Sequence, residues 1–187
     1  MLIPRRTDAL RNRQAILKVA DEAFAQGSDV VSLEEIARRA GLGRATVYRH
    51  FPDRQALGMA VAAEQLDALR RIVITTREKH CSFRDLLQLV LCSQVSRRPL
   101  VHLMRELPER DQRHHANALI AVLATPFRQA QAEGQLRADV LPTDLALVFE
   151  MLEAAIEAAS RSADPVATAQ RLIEVILDGL FVSARLR

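Results

Sequence analysis

Along almost the whole chain apolar residues recur at the period of an α-helix, and no alternating run bounded by turn residues makes a strand. A chain patterned this way folds as an all-α protein. Ile16, Val19, Ala20, Ala23 and Phe24 stand at i, i+3, i+4, i+7 and i+8, which gives a first helix over about Thr7 to Gln26 one apolar stripe, with Gly27 as its stop. Ser32-Leu33-Glu34-Glu35 has the form of a capping box and opens a short helix carrying Leu33, Ile36, Ala37 and Ala40, ended by Gly41. After Gly41-Leu42-Gly43 a second short helix runs from Arg44 to about Phe51, closed by Pro52, with Asp53 placed to cap the next. Two short helices around a glycine turn make a helix-turn-helix.

A long helix follows from Arg54 to about Lys79, then one from about Phe83 to Ser96, which breaks at Arg97-Arg98-Pro99, and a shorter piece to Leu107-Pro108. The next, about Arg110 to Glu133, contains Pro126, whose ring should kink it. Pro142 and Asp164-Pro165 are openings for two last helices, about 142 to 161 and 165 to 184. The total is roughly nine helices, divided into a helix-turn-helix domain over 1–54 and a larger helical body over 55–187.

The charge is uneven. Residues 1–54 hold ten Lys/Arg against seven Asp/Glu, whereas the remainder holds sixteen of each. A basic head on a neutral body is the electrostatic footprint of a nucleic-acid reader. With 49% hydrophobic and 26% charged residues, the chain lies outside the composition of disordered proteins. No stretch approaches the roughly 18 apolar residues of a membrane span, and Met1-Leu2-Ile3-Pro4-Arg5-Arg6 lacks a signal peptide's apolar segment, so a cytoplasmic protein with no membrane partner is expected. Cys81 and Cys92 have neither zinc nor disulfide-framework spacing. His114-His115 and His102 form no catalytic or metal-binding constellation, so no enzyme, metal or cofactor is expected.

Arg13-Gln14-Ala15-Ile16-Leu17, Val31-Ser32-Leu33-Glu34-Glu35-Ile36-Ala37, Ala40-Gly41-Leu42, Thr46-Val47-Tyr48-Arg49-His50-Phe51 and Arg54-Gln55-Ala56-Leu57 follow one another in an order and spacing that resembles the N-terminal domain of TetR-family transcriptional regulators. The resemblance implies a DNA-binding regulator, a homodimer on a palindromic operator, and a body that binds a small-molecule effector releasing repression. A recognition helix sets its first residues against base edges in the major groove. Arg44 is therefore the candidate base reader, its fork fitting O6 and N7 of guanine, with a solvated or phosphate-bound side chain as the other reading. The resemblance puts Ala45 and Thr46 on the same face, where a methyl would meet thymine or the Thr46 hydroxyl a phosphate. It makes Tyr48 and His50 phosphate contacts, with core packing as the other reading for each, and adds Arg49 to the DNA face. Ser32 matches a phosphate-contacting hydroxyl, and Arg54 stands where the family usually has lysine. Gly43 departs from a common serine, losing a hydroxyl while keeping the cap geometry. Arg5 and Arg6, ahead of the first helix, would follow a groove as an arm or fray in solvent.

The helix at 142–161 is apolar on two sides, with Leu145, Val148, Phe149, Leu152 and Ile156 on one and Leu147, Met151, Ala154 and Ala158 on the other. One side would pack the core and the other a partner. Leu145, Phe149, Leu152 and Ile156, with Leu172, Ile176 and Leu180 of the last helix, are the expected dimer interface, which the resemblance places on this helix pair, with a fully buried intrachain core as the other reading. Phe83, His102, Met104, Phe127 and Met151 combine apolar bulk with an occasional polar handle and are the expected lining for an apolar or amphipathic effector, with plain core packing as the other reading. Two alternatives compete with a ligand-released repressor: an effector-independent regulator of the same fold, and a helical protein-interaction module with a degenerate helix-turn-helix.

Overall fold

A computed structural model describes residues 3–26, 32–79, 82–159 and 164–182. Among them lie nine helices, α1 (Ile3–Ala25), α2 (Leu33–Ala40), α3 (Arg44–His50), α4 (Arg54–Lys79), α5 (Phe83–Ser96), α6 (Arg98–Arg105), α7 (Glu109–Ala132), α8 (Asp144–Ala159) and α9 (Pro165–Leu180). The only β pairing among the described residues is one antiparallel bridge, Leu136 with Phe181. The chain is all-α, as its periodicity predicts.

Several boundaries differ from expectation for local reasons. α1 begins at Ile3, so Arg5 and Arg6 belong to the helix backbone and not to an arm ahead of it. Pro4 suits that first turn, whose N–H groups have no helical acceptors. Gly27 and Cys81 lie outside the described residues. α8 opens at Asp144, whose carboxylate accepts from the Leu141 N–H at 2.8 Å, leaving Pro142 in the preceding turn. Asp164 caps α9 by accepting from the Ala167 N–H at 3.0 Å, with Pro165 in the first turn as expected. α9 ends at Leu180 because Phe181 becomes extended to meet Leu136. Pro126 sits inside α7, which runs through it.

The chain divides into two compact units, Met1–Gln65 with Ser96–Gln112, and Leu66–Val95 with Arg113–Arg187. The first, the head, contains the whole of the expected 1–54 segment. Its core joins Ile16, Ala20 and Phe24 of α1 to Ile36 of α2, Val47 of α3, Leu57 of α4, and Leu100 and Leu103 of α6. Each large side chain so buried contributes about 1.5–3 kcal/mol. Gly58 lets α6 approach α4 closely, since a Cβ there would stand 2.5 Å from Leu103 Cδ2. A polar clasp adds to this packing. Asp21 of α1 accepts from Gln65 Nε2 of α4 at 2.7 Å and from Arg97 Nε, at the start of α6, at 3.0 Å. Partial burial pushes the Asp21 carboxyl up, but the bonds from Arg97 and Gln65 and the Arg97 charge outweigh it and hold the group below its usual value.

The second unit, the body, is built on Leu87 and Leu91 of α5, Leu123 and Phe127 of α7, Leu145 and Leu152 of α8, and Ile173 and Leu177 of α9. Phe83 meets Phe127 edge-on, with ring centroids 5.6 Å apart, and Phe181 at 5.9 Å. Gly134 takes a left-handed conformation (φ 71°) to end α7, with Gln135 N–H donating back to the Ala130 carbonyl at 2.9 Å. Among the described residues no helix is long and apolar enough to cross a membrane.

Candidate nucleic-acid interface

The geometry of α2 and α3 follows from their ends. Ser32 Oγ accepts from the Glu35 N–H at 3.2 Å and so caps α2. The Glu35 carboxylate turns forward along the helix, where Arg38 Nε donates at 2.8 Å and Arg39 Nε at 2.7 Å. Those two guanidinium groups lower its pKa to about 2. Gly41 adopts φ 66° and ends α2, with Leu42 N–H donating to the Ala37 carbonyl at 3.0 Å. An L side chain is disfavoured there, which accounts for glycine. Gly43, by contrast, caps α3 with ordinary extended backbone (φ −66°, ψ 142°), and a Cβ there would meet only Thr46 Oγ1, at 4.0 Å. The space of the family's usual serine is available.

α3 is anchored by Val47, fully buried in the head core, and by Phe51, whose N–H returns to the Val47 carbonyl at 2.8 Å. Arg13 lies over the Phe51 ring, 4.6 Å from its centroid. With Val47 inward, the helical period turns Arg44, Ala45, Tyr48 and Arg49 outward, while Thr46 and His50 are half-buried at the flanks. Asp53 caps α4 by accepting from the Ala56 N–H at 2.7 Å, and Arg54 stands half-buried at its first position. Ser32 thus caps α2, Gly43 caps α3, Arg44, Ala45, Thr46, Tyr48, Arg49 and His50 lie on α3, and Arg54 opens α4. Such an arrangement can offer cations and hydroxyls to a duplex. One contact is not announced by any spacing in the sequence. Glu34 accepts a hydrogen bond from the Tyr48 hydroxyl at 2.6 Å.

The head resembles known regulators most clearly. A family profile described as bacterial regulatory proteins of the tetR family matches residues 16–61. An HTH-type transcriptional regulator of Staphylococcus aureus (strain USA300) is 40% identical over 63 residues, a match spanning 33% of this chain and 34% of that protein. Beyond the head, the crystal structure of a TetR transcription regulatory protein from Mycobacterium vanbaalenii is 32% identical over 96% of this chain and 100% of that one, with a TM-score of 0.62. The chain belongs to the TetR family. A second TetR regulator, from Streptomyces coelicolor, is 26% identical over 92% of this chain and 99% of that one, with a TM-score of 0.65. The residues that the TetR profile matches, 16–61, lie within the head.

Two groups of expected body residues need correction. Leu145, Phe149, Leu152 and Ile156 are buried in the chain's own core, and Leu172, Ile176 and Leu180 are half-buried against it. The four α8 residues are thus taken up by the protomer's own core, whereas the three α9 residues stay partly exposed. The outward stripe carries Leu147 (59% exposed) and Met151 (61%), with Ala154 and Ala158, and α9 exposes Val175. The five residues chosen as an effector lining do not converge either. Phe83 and Phe127 fill the body core, Met151 faces outward on α8, and His102 and Met104 belong to α6 of the head unit. There His102 is exposed beside Glu106 at 3.6 Å, while Met104 is half-buried against the head core.

Proposed function

We propose that this TetR-family chain represses transcription by binding a palindromic operator as a homodimer, and that a small-molecule effector held by the body releases it. The observation that carries the reading is α3 itself. Pinned by Val47, it turns Arg44, Ala45, Tyr48 and Arg49 outward in one row beside the cap of α2. Arg44, in the first turn, reads a base, while Tyr48, Arg49, His50, Arg54 and Ser32 contact phosphates. One such head makes few base contacts, so two-fold symmetry matching a palindrome is required, with recognition helices roughly 34–36 Å apart or a multiple of that. The outward faces of α8 and α9, with Leu147, Met151 and Val175, are the dimer surface.

An apolar or amphipathic effector suits a body core made almost wholly of aliphatic and aromatic side chains. Gln94 on α5 keeps a buried side-chain oxygen without a hydrogen-bond partner among the described residues, which an effector carrying a donor would satisfy. Such a ligand weakens operator binding only if it favours the arrangement that does not fit DNA. Selection from a pool of randomised duplexes tests the DNA reading. Enrichment of one palindrome, with half-sites a helical turn or a multiple apart, is expected; recovery of unrelated sequences would refute sequence-specific operator binding.

A further inference from the structure

We propose that Glu34 is a built-in competitor for operator phosphate, holding in the DNA-free head the Tyr48 hydroxyl that DNA binding must redirect. The inference rests on the reading of Tyr48 as a phosphate contact. A phenol carries one proton and donates to one acceptor at a time. In this head the acceptor is a carboxylate oxygen 2.6 Å away, at the length of a charge-assisted bond. Tyr48 is 43% exposed on the outward row of α3, and Glu34 lies in the first turn of α2, where the helix N-terminus and the Arg44 charge both favour its ionised form. The bond from Tyr48 holds the Glu34 carboxyl below its usual value, and in return holds the phenol above its own.

A phosphate reaching Tyr48 therefore meets a donor already engaged and a like charge beside it. Either the hydroxyl swings from carboxylate to phosphate, or the phosphate stays out. Glu34 thus lowers the affinity of the head for any duplex, and most strongly at low salt, because the site is exposed and screened by ions. It also keeps the only tyrosine ordered on the reading face before DNA arrives.

Two measurements on the full chain test this. First, Tyr48 is the only tyrosine and the chain has no tryptophan, so ultraviolet titration of the phenolate reads this group alone. Glu34→Gln should lower the Tyr48 titration point toward that of a free phenol; an unchanged titration would mean the bond does not form in solution and would overturn the proposal, leaving Tyr48's role on DNA untouched. Second, duplex affinity is compared for the native chain, Glu34→Gln, Tyr48→Phe and the double variant. Glu34→Gln should tighten binding to operator and non-operator duplexes alike, about two- to five-fold per head, and most of that gain should vanish in the Tyr48→Phe background. An equal gain in both backgrounds, or none, would overturn the competitor while Tyr48→Phe still weakened binding. If Tyr48→Phe alone left affinity unchanged, the phosphate-contact reading would fall, and the competitor with it.

Discussion

The head and the body spend their apolar residues differently. In the head, α3 has one buried anchor, Val47, and a reverse face of Arg44, Tyr48 and Arg49, so its orientation is unambiguous. In the body, α8 is apolar on two sides, with Leu145, Leu152 and Ile156 inward and Leu147 and Met151 outward. A helix with one apolar stripe has one way to bury it, whereas a helix with two satisfies the hydrophobic effect equally well with either one inward. The choice then belongs to the shape of neighbouring helices, and pattern alone does not make it.

The largest effect that sharpens this contrast lies within α8. Leu152→Ala, at a fully buried position, should cost about 2–5 kcal/mol in denaturant unfolding. Met151→Asp, one residue earlier but outward, should leave the protomer's own packing intact and dissociate the proposed homodimer in sedimentation. A Met151→Asp chain that still sediments as the native assembly would remove the outward stripe from the interface.

In the head the sensitive points are turns. Gly41→Ala forces an L side chain to φ 66° with nothing within 4 Å of its Cβ, so the loss is backbone strain alone, about 1–2 kcal/mol. Gly41→Asn should recover part of it, because asparagine tolerates the left-handed region. Equal destabilisation by both would show that the cause is not the backbone conformation.

The smallest effect separates the units by pH. Burial, reinforced by the charge of His114, holds the His115 imidazole of the body below its usual 6.5. The unfolded chain therefore takes up this proton first as pH falls, so His115 favours the fold fully above pH 6.5 and progressively less as pH drops through and below that value. Asp21 and Glu35 of the head are held below their usual values, so their contributions are complete above the ordinary carboxylate range and fade only at lower pH. Thermal unfolding between neutral pH and pH about 5 should show loss of stability that His115→Gln reduces; an identical pH slope in that variant would contradict the assignment.

What was legible in the sequence was local. The Ser32 cap, the Gly41 stop, the Asp53 cap and the outward row of α3 each depend on residues within one or two turns. The Tyr48–Glu34 bond spans fourteen positions and depends on how α2 and α3 cross, so no spacing announces it. The packing of Leu100 and Leu103 into the head depends on the space at Gly58 and on the Asp21–Arg97 pair, contacts between distant segments. The expected effector residues share a chemical type and not a location. Phe83 and Phe127 have that type because they fill a core, and His102 because it lies at a surface.

The most direct test of the head as an operator reader is duplex affinity against salt concentration for the native chain, Arg54→Ala and Arg44→Ala, each on the selected palindrome and on single-base variants of it. Phosphate neutralisation releases counterions, so Arg54→Ala should weaken all duplexes alike and flatten the salt slope by about one unit. Arg44→Ala should instead erase roughly 1–3 kcal/mol of discrimination at one base pair in each half-site. An Arg44→Ala chain that kept the native preference at every position would contradict base reading by the first turn of α3.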